Sequence, residues 1–312
     1  MPSGNLVLRR VVQLVPTLFF ALLLLFVMVR LLPGGPATAA LGDRGTDADI
    51  ARIEASYGLN RSIAEQFLSY LWQIAHGDLG ISYSLKVPVT ELVLQRLPVT
   101  LTLTACGSVL ALAIAVPLAA LAASRRDRTT DLILRGLFQL GLSSPVFYIG
   151  ILLLTLVAAK TGLFPVGGYG SGFLDNLHHL VLPSFALALN FAAVLFRNLR
   201  SAMIEAMDAD YVTFAIARGL SPRVVLFGHV LRNALISTVT LFGLNVGWLI
   251  GGAVITESVF AIPGVGRLMI DSIFARDYPV IQGLLLVLVL TVSVVFLLTD
   301  IVEGLLDPRL NR

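Results

Sequence analysis

The hydrophobic positions of this sequence fall into long runs with few charged residues, rather than into the one-sided patterns of helices on a water-soluble core. A helix needs about 20 apolar residues to cross the hydrocarbon core of a bilayer. Runs of about that length lie at residues 11–32, 100–123, 137–159, 180–196, 234–258 and 280–301. The pattern therefore predicts an all-α integral membrane protein with six transmembrane helices.

Prolines interrupt several of these runs. Pro16, Pro117, Pro145 and Pro183 each lie inside a predicted span. A proline leaves a backbone carbonyl without its usual helical donor, and such a carbonyl needs another donor where no water is present. We therefore expect neighbouring helices or hydroxyl side chains to supply those donors.

The loops between the spans alternate in basic content, and Lys and Arg in short loops are retained on the cytoplasmic side. The basic loops carry Arg9, Arg10, Arg125, Arg126, Arg128, Arg135, Arg197, Arg200, Arg218, Arg223, Arg232, Arg309 and Arg312, whereas the opposite short loops carry Lys160, Arg267 and Arg276. Both termini are therefore predicted to face the cytoplasm. The predicted division is a cytoplasmic N-terminus with the first span (1–32), an external segment (33–98), a membrane core (99–303) and a cytoplasmic tail (304–312).

Two helices are predicted in the external segment. The first covers residues 46–57 and ends before Gly58, and the second covers 62–75. In the second, Ile63, Phe67 and Ile74 share an apolar stripe, which is typical of a helix lying on a protein or membrane surface. Solvated packing and docking of an external partner both explain such a helix, and the pattern does not decide between them.

Composition supports the membrane class. Hydrophobic residues make up 57% and charged residues 13% of the chain, against about 25% charged in soluble domains. The net charge of +3 is too small for a nucleic-acid-binding surface. Cys106 is the single cysteine, which excludes an internal disulfide framework and a multi-cysteine metal site.

The segment 197–232 between the fourth and fifth spans is much longer than a membrane hairpin requires. Residues 210–218 are predicted to form a short helix that Gly219 terminates. Ser221 can then cap a second helix whose first position is Pro222. A helix, a glycine turn and a second helix would make a compact knob on the cytoplasmic side.

In this segment the chain resembles the permease subunits of binding-protein-dependent ABC importers, specifically the first permease of the dipeptide and oligopeptide group. The general motif of that family is Glu-Ala-Ala, three residues, Gly, nine residues and Ile-x-Leu-Pro, and Ala215, Gly219 and Leu231 match it. Further segments that resemble the group's sequence motifs lie at 32–36, 57–61, 77–82, 96–101, 210–221, 229–236, 257–268, 276–283 and 306–310. Gly35 and Glu303 depart from the group's usual residues.

The resemblance implies a type I ABC importer permease fold in the bacterial inner membrane. It also implies a second homologous permease, two ATP-binding subunits and an external substrate-binding protein as partners. ATPase coupling would involve the knob, through Tyr211, Thr213, Ala215, Ala217, Arg218, Gly219, Leu220 and Ser221. The implied cargo is a short peptide, with nickel, glutathione or another small solute as the alternative.

Other chemistry has little support in the sequence. Neither Lys86 nor Lys160 follows a glycine, so there is no Walker A loop, and ATP hydrolysis is expected only in a partner. The four histidines, at 76, 178, 179 and 229, lack a metal-ligand spacing, so no metal or cofactor is expected.

A self-contained secondary transporter is the less favoured alternative, because such carriers place carboxylates in mid-membrane and show repeated halves. The carboxylates near membrane depth, Glu257, Asp300 and Glu303, lie close to span ends, where we expect them to reach water or a backbone donor. No serine-nucleophile motif supports a membrane enzyme.

Overall fold

The computed structural model describes residues 4–31 and 60–306, and in these ranges it is helical, with one isolated bridge between Ile81 and Pro88. The helices are α1 (Gly4–Leu31), α2 (Ile63–Ala75), α3 (Val89–Ser124), α4 (Thr129–Ser143), α5 (Val146–Thr161), α6 (Phe173–Met207), α7 (Asp210–Ala217), α8 (Pro222–Val259), α9 (Val265–Phe274) and α10 (Tyr278–Leu306). The predicted external helix 46–57 lies outside the described residues.

The predicted spans coincide with helices, several of which are longer than the apolar runs. Four of the described helices, α3, α6, α8 and α10, are long and apolar enough to cross a membrane. The pair α4 and α5 adds a fifth if it is counted as one span. In α1, which matches the first predicted span, the described apolar stretch is Leu14–Met28. The long helices exceed the predicted spans because polar and charged turns extend them beyond the apolar runs.

The helix predicted at residues 62–75 is confirmed as α2. Ser62 and Glu65 form a capping box, in which the Ser62 hydroxyl accepts from the Glu65 amide and the Glu65 carboxylate accepts from the Ser62 amide. Its apolar side packs against α1, where the Phe67 ring lies 5.0 Å from that of Phe26 and 5.8 Å from that of Phe19. The amphipathic stripe is therefore covered in part by the chain's own first helix.

The third predicted span is not one straight helix. α4 and α5 meet at a bend of 101°, at Ser144 and Pro145, and α5 contains a π-helical stretch over Leu153–Ala158. A proline cannot donate to the preceding turn and restricts the residue before it. The apolar run 137–159 therefore corresponds to two helices that meet at Pro145, one of the prolines inside the predicted spans.

The carbonyls released by this bend find side-chain donors. The Ser143 and Ser144 hydroxyls donate to the carbonyls of Gln139 and Leu140 at 3.0 and 2.8 Å, but these carbonyls lie in the regular turns of α4 and are not released by the bend. The amide of Asn190 on α6 lies 3.4 to 3.5 Å from the carbonyls of Gly141, Leu142 and Ser144. Asn190 is only 7% exposed. The expectation that neighbouring helices or hydroxyl side chains supply the missing donors is confirmed at this proline by the neighbouring helix α6.

The described residues form two units, and the larger contains Thr100–Pro263 together with 295–306. Its centre is α6, which contributes most of the fully buried large side chains, including Phe191, Phe196 and Leu195. At one end of this unit Arg200 forms a two-point ion pair with Asp131 on α4, with both N···O distances at 2.6 Å. Asp131 is fully buried, so this ion pair is shielded from solvent, unlike most ion pairs on a protein surface.

The second unit contains the described residues 4–31, 60–99 and Gly264–Val294. Its core is made by the first turns of α3, by α9 and by the first half of α10, and the buried members are Val89, Leu92, Val93, Val265, Leu268, Met269, Val280 and Leu284. This packing fixes the short helix α9 beside the start of α10.

Asn190→Leu should destabilise the protein by about 1 to 3 kcal/mol, because it leaves buried carbonyls at the bend without a donor. Asn245→Leu is the matched control, since the Asn245 amide donates to the Leu241 carbonyl within its own helix. Thermal unfolding in detergent measures both changes. Equal unfolding temperatures for the two variants would contradict the role given to Asn190.

Candidate functional site

The first candidate site is the knob, defined as residues 210–231. α7 ends in a Schellman motif, in which the Leu220 amide donates to the Ala215 carbonyl at 3.3 Å and the Gly219 amide to the Ile216 carbonyl at 2.9 Å. Gly219 has a φ of +79°, which side chains with a Cβ rarely adopt. The glycine turn is confirmed, and its requirement for glycine is conformational because no atom lies within 4 Å of an added Cβ.

α7 presents an apolar surface to solvent. Val212 and Ala215 are buried and attach α7 to the rest of the unit. Phe214 is 70% exposed on the side away from Val212, Ile216 is 61% exposed at the edge of the buried side, and Phe227 on α8 is 57% exposed. These side chains give the knob apolar surface, which marks a protein-binding site where it forms a contiguous patch.

The structure divides the predicted coupling residues between these two faces. Tyr211, Thr213, Ala217, Arg218, Gly219, Leu220 and Ser221 are exposed, whereas Ala215 is buried. The Tyr211 hydroxyl accepts a hydrogen bond from the Asn233 amide at 3.0 Å, which ties α7 to α8. Ala215 therefore packs inside the knob and Tyr211 braces it, and the exposed aromatic residues Phe214 and Phe227 were missed by the sequence reasoning.

Two details of the predicted knob need correction. Ser221 occupies the N-cap position with Pro222 behind it, but its side chain makes no capping hydrogen bond. The second helix is also not a separate element, because it continues through a π-helical stretch at Val225–Leu231 into the rest of α8. The knob is thus joined to a membrane span by unbroken helix, which is a stiffer link than a loop.

A second candidate site connects the motif-like segments 77–82 and 276–283, which lie far apart in the sequence. The fully buried carboxylate of Asp277 accepts hydrogen bonds from the Ser82 hydroxyl at 2.5 Å, the Tyr83 amide at 3.0 Å, and the Ser84 amide and hydroxyl at 3.0 and 2.7 Å. We call this arrangement the latch. It attaches the turn 81–88 to the junction between α9 and α10.

Two opposing effects set the pKa of Asp277. Burial raises it, but the hydrogen bonds from Ser82, Ser84 and the Tyr83 amide together outweigh burial, so the net pKa lies below the ordinary value of a carboxyl group. The stability that these bonds provide is therefore present above the ordinary pKa of about 3.9 and is lost only as pH falls through the lower folded pKa. The latch is consequently charged and intact throughout the neutral range.

Glu257 does not reach water, which is one of the two environments expected for span-end carboxylates. It is fully buried, and the Thr100 hydroxyl donates to it at 2.5 Å. Neighbouring residues pack over this end of the helix. The position of Glu257 in the sequence, near the end of a predicted span, did not indicate that packing. Asp300 and Glu303 are partly exposed, in agreement with the expectation.

The bent fourth and fifth helices, the long central α6 and the helical knob define a multi-pass membrane protein of transporter type. Residues 115–312 match the family described as binding-protein-dependent transport system inner membrane component, and residues 4–104 match its N-terminal family. The chain belongs to this family. It is an all-α membrane component of a transport system, not an enzyme.

Two relatives match nearly full length. The dipeptide transport system permease protein DppB of Escherichia coli (strain K12) is 36% identical and the oligopeptide transport system permease protein AppB of Bacillus subtilis (strain 168) is 37% identical, each with 98% of both chains covered. Among solved structures, the inward-facing MetNI methionine ABC transporter matches with a TM-score of 0.59 at 16% identity, covering 69% of this chain and 96% of that one. The last match confirms the type I permease fold.

Asp277→Ala should loosen the turn 81–88, because four donors lose their acceptor at a cost of about 2 to 4 kcal/mol. A lysine-specific protease reads this directly, since Lys86 lies in the turn and Lys160, the only other lysine, gives an internal reference. Cleavage after Lys86 should accelerate at least tenfold relative to cleavage after Lys160.

Asp271→Ala, an exposed aspartate on α9, is the matched control and should leave both cleavage rates unchanged. For the wild-type protein the ratio of the two rates should stay constant between pH 6 and 8. An unchanged Lys86 rate in Asp277→Ala would show that the latch does not hold the turn.

Proposed function

We propose that the chain is one of two homologous permease subunits of an ATP-driven importer of short peptides. The observation that carries this proposal is the nearly full-length similarity to permeases whose names state dipeptide and oligopeptide transport. The two permeases would enclose the path between them, two ATP-binding subunits would bind inside, and a substrate-binding protein would deliver the peptide outside.

Both termini are proposed to face the cytoplasm of a bacterial cell. The arginine-rich loops at 124–135 and 197–232 support this orientation, because Lys and Arg are retained on the cytoplasmic side. The segment 33–98, which includes α2 and the turn of the latch, is then external. The core 99–303 crosses the membrane, and the tail 304–312 returns to the cytoplasm.

The knob is proposed to receive the motion of the ATP-binding subunits. Its exposed apolar residues Phe214, Ile216 and Phe227 offer a surface of about the kind that a protein partner covers. The buried residues Val212 and Ala215 hold that surface against the unit, and α8 continues from the knob into a membrane span. A displacement of the knob would thus move a span as a rigid body, as alternating access requires.

The substrate class can be tested with the assembled transporter in vesicles and its cognate binding protein outside. ATP is enclosed within the vesicles, on the same side of the membrane as the knob. It should raise uptake of radiolabelled alanyl-alanine at least tenfold above the level without ATP. Nickel and reduced glutathione are tested in parallel. Uptake of either one without uptake of any di- or oligopeptide would contradict the peptide proposal and leave the permease class intact.

The coupling role can be tested with Gly219→Asp. An aspartate at φ +79° costs about 1 kcal/mol and places a charge beside the apolar surface, so co-purification of the ATP-binding subunits and peptide uptake should both fall at least fivefold. Phe214→Ala leaves the turn unchanged and removes only exposed apolar area, and it should lower co-purification in the same direction.

Gly162→Asp is a closely matched control. Gly162 also has a positive φ, of +64°, and open space around an added Cβ, but it lies in the loop after α5 on the proposed external side. The conformational cost of an aspartate at Gly162 is similar to that at Gly219, but Gly162 lies outside the knob. Co-purification of the ATP-binding subunits should therefore remain at the wild-type level. Wild-type co-purification and uptake for both Gly219→Asp and Phe214→Ala would remove the coupling role of the knob.

A further inference from the structure

A cavity of about 960 Å³ lies between α4 and α6 in the larger unit. One face of each helix lines it: residues spaced three or four apart on α4, such as Leu132, Arg135 and Gln139, and on α6, such as Arg197 and Ser201. Nothing lies within 4 Å of a Cβ added at Gly136, so the wall is open at that point. The space exceeds what a few ordered waters require.

The cavity has an apolar wall and a charged end. Phe138 and Phe196 stack with their ring centroids 4.1 Å apart, and Leu132, Leu142 and Ile204 extend the apolar surface. The charged lining residues are Arg126, Asp127, Arg135, Arg197, Arg200, Glu205 and Asp208. A ligand that fits this lining carries an anionic group and an apolar portion.

The arginines in the lining differ in their partners. Arg200 is bound at two points to Asp131, and Arg126 lies 3.0 Å from Asp208 and 3.7 Å from Asp127. Arg135 and Arg197 make no hydrogen bond or ion pair within the described part of the chain. Asp131 lies one turn from Arg135, but its two oxygens already accept from Arg200.

Glu205 is the remaining carboxylate in the lining. It follows Arg197 by eight residues, which places it about 12 Å further along the axis of α6. The two side chains therefore start two turns apart on α6, and Arg197 directly follows Phe196 in the sequence. Two guanidinium groups that donate no hydrogen bond within the described residues, beside an apolar surface, form the combination that binds a phosphate carrying a hydrocarbon chain.

Both free arginines also lie where the polar boundary of the bilayer is predicted. Arg197 directly follows the apolar run 180–196, and Arg135 precedes the run 137–159 by one residue. Phospholipid phosphates occupy this depth, and basic pockets between membrane helices on the cytoplasmic side bind anionic lipid headgroups.

We propose that the cavity between α4 and α6 is a binding site for an anionic phospholipid, with Arg135 and Arg197 on its phosphate and the partly exposed ring of Phe138, which stacks on the buried Phe196, against its acyl chain. A bound lipid would fill the open space beside Gly136 and brace the helix before the bend at Pro145. The proposed orientation decides only which leaflet of the bilayer supplies the lipid. The proposal does not depend on which substrate the transporter carries.

The test uses the purified transporter complex, stripped of lipid in a neutral detergent and titrated with phosphatidylglycerol. Native mass spectrometry counts the lipids bound to each complex. Arg135→Gln/Arg197→Gln should weaken phosphatidylglycerol binding at least tenfold, whereas Arg135→Lys/Arg197→Lys should keep it within about threefold. Phosphatidylcholine, whose headgroup has no net charge, should bind at least tenfold more weakly to the wild-type complex.

Arg125→Gln/Arg128→Gln is the matched control, because it removes the same charge from the adjacent loop at residues outside the lining. It should bind phosphatidylglycerol within twofold of wild type. Gly219→Asp should also bind it normally, so failure of the coupling proposal and failure of this one are distinguishable.

Four results would overturn the proposal. The first two are equal binding of phosphatidylglycerol and phosphatidylcholine to the wild-type complex, and wild-type phosphatidylglycerol binding by the Arg135→Gln/Arg197→Gln variant. The third is displacement of phosphatidylglycerol by millimolar alanyl-alanine, and the fourth is a complex that binds no lipid. Displacement by the dipeptide would assign the cavity to the transport path, and no retained lipid would show that another subunit covers it.

Discussion

The structure depends on one constraint: a backbone carbonyl inside the hydrocarbon region needs a donor from the protein itself. At Pro145 the third predicted span breaks by 101°, and several carbonyls of α4 lose their helical partners. The buried amide of Asn190 reaches the carbonyls of Gly141, Leu142 and Ser144 at this end of the helix. Since Asn190 belongs to α6, the broken span must pack directly against that helix. The central position of α6 follows from the need to close this defect.

The same helix connects the membrane region to the knob. Below Asn190, α6 carries Arg200, whose ion pair with the buried Asp131 fixes the start of α4. Beyond Met207 the chain turns at once into α7, and the Tyr211 hydroxyl meets Asn233 on α8. A force on the knob therefore acts on α6 and α8 through short, hydrogen-bonded links. Long flexible loops would dissipate such a force, so this local stiffness supports the coupling role proposed for the knob.

Sequence patterns predicted the elements of this protein better than their junctions. The apolar runs located the long helices, and Gly219 located the knob turn, because both signals are local. The angle at Pro145 was not predictable, since it depends on where the donors of α6 lie. Asp277 and Ser82 are 195 residues apart, and no local pattern shows that they meet. The burial of Glu257 was not predictable for the same reason, because it comes from neighbours that its position in the sequence does not show.

The two candidate sites use the same left-handed helix ending with different residues, and the difference has a physical cause. The knob turn has Gly219 at φ +79°, in open space, with only the backbone bonds of its own helix to hold it. The turn at the end of α9 has Arg276 at φ +53°, a conformation that costs a side-chain-bearing residue about 1 kcal/mol or more. Next to Arg276, however, Asp277 accepts four hydrogen bonds from the turn 81–88, which fix the backbone whatever residue precedes it. Glycine therefore avoids this cost at the knob turn, whereas at the end of α9 the hydrogen bonds of the neighbouring carboxylate help to offset it.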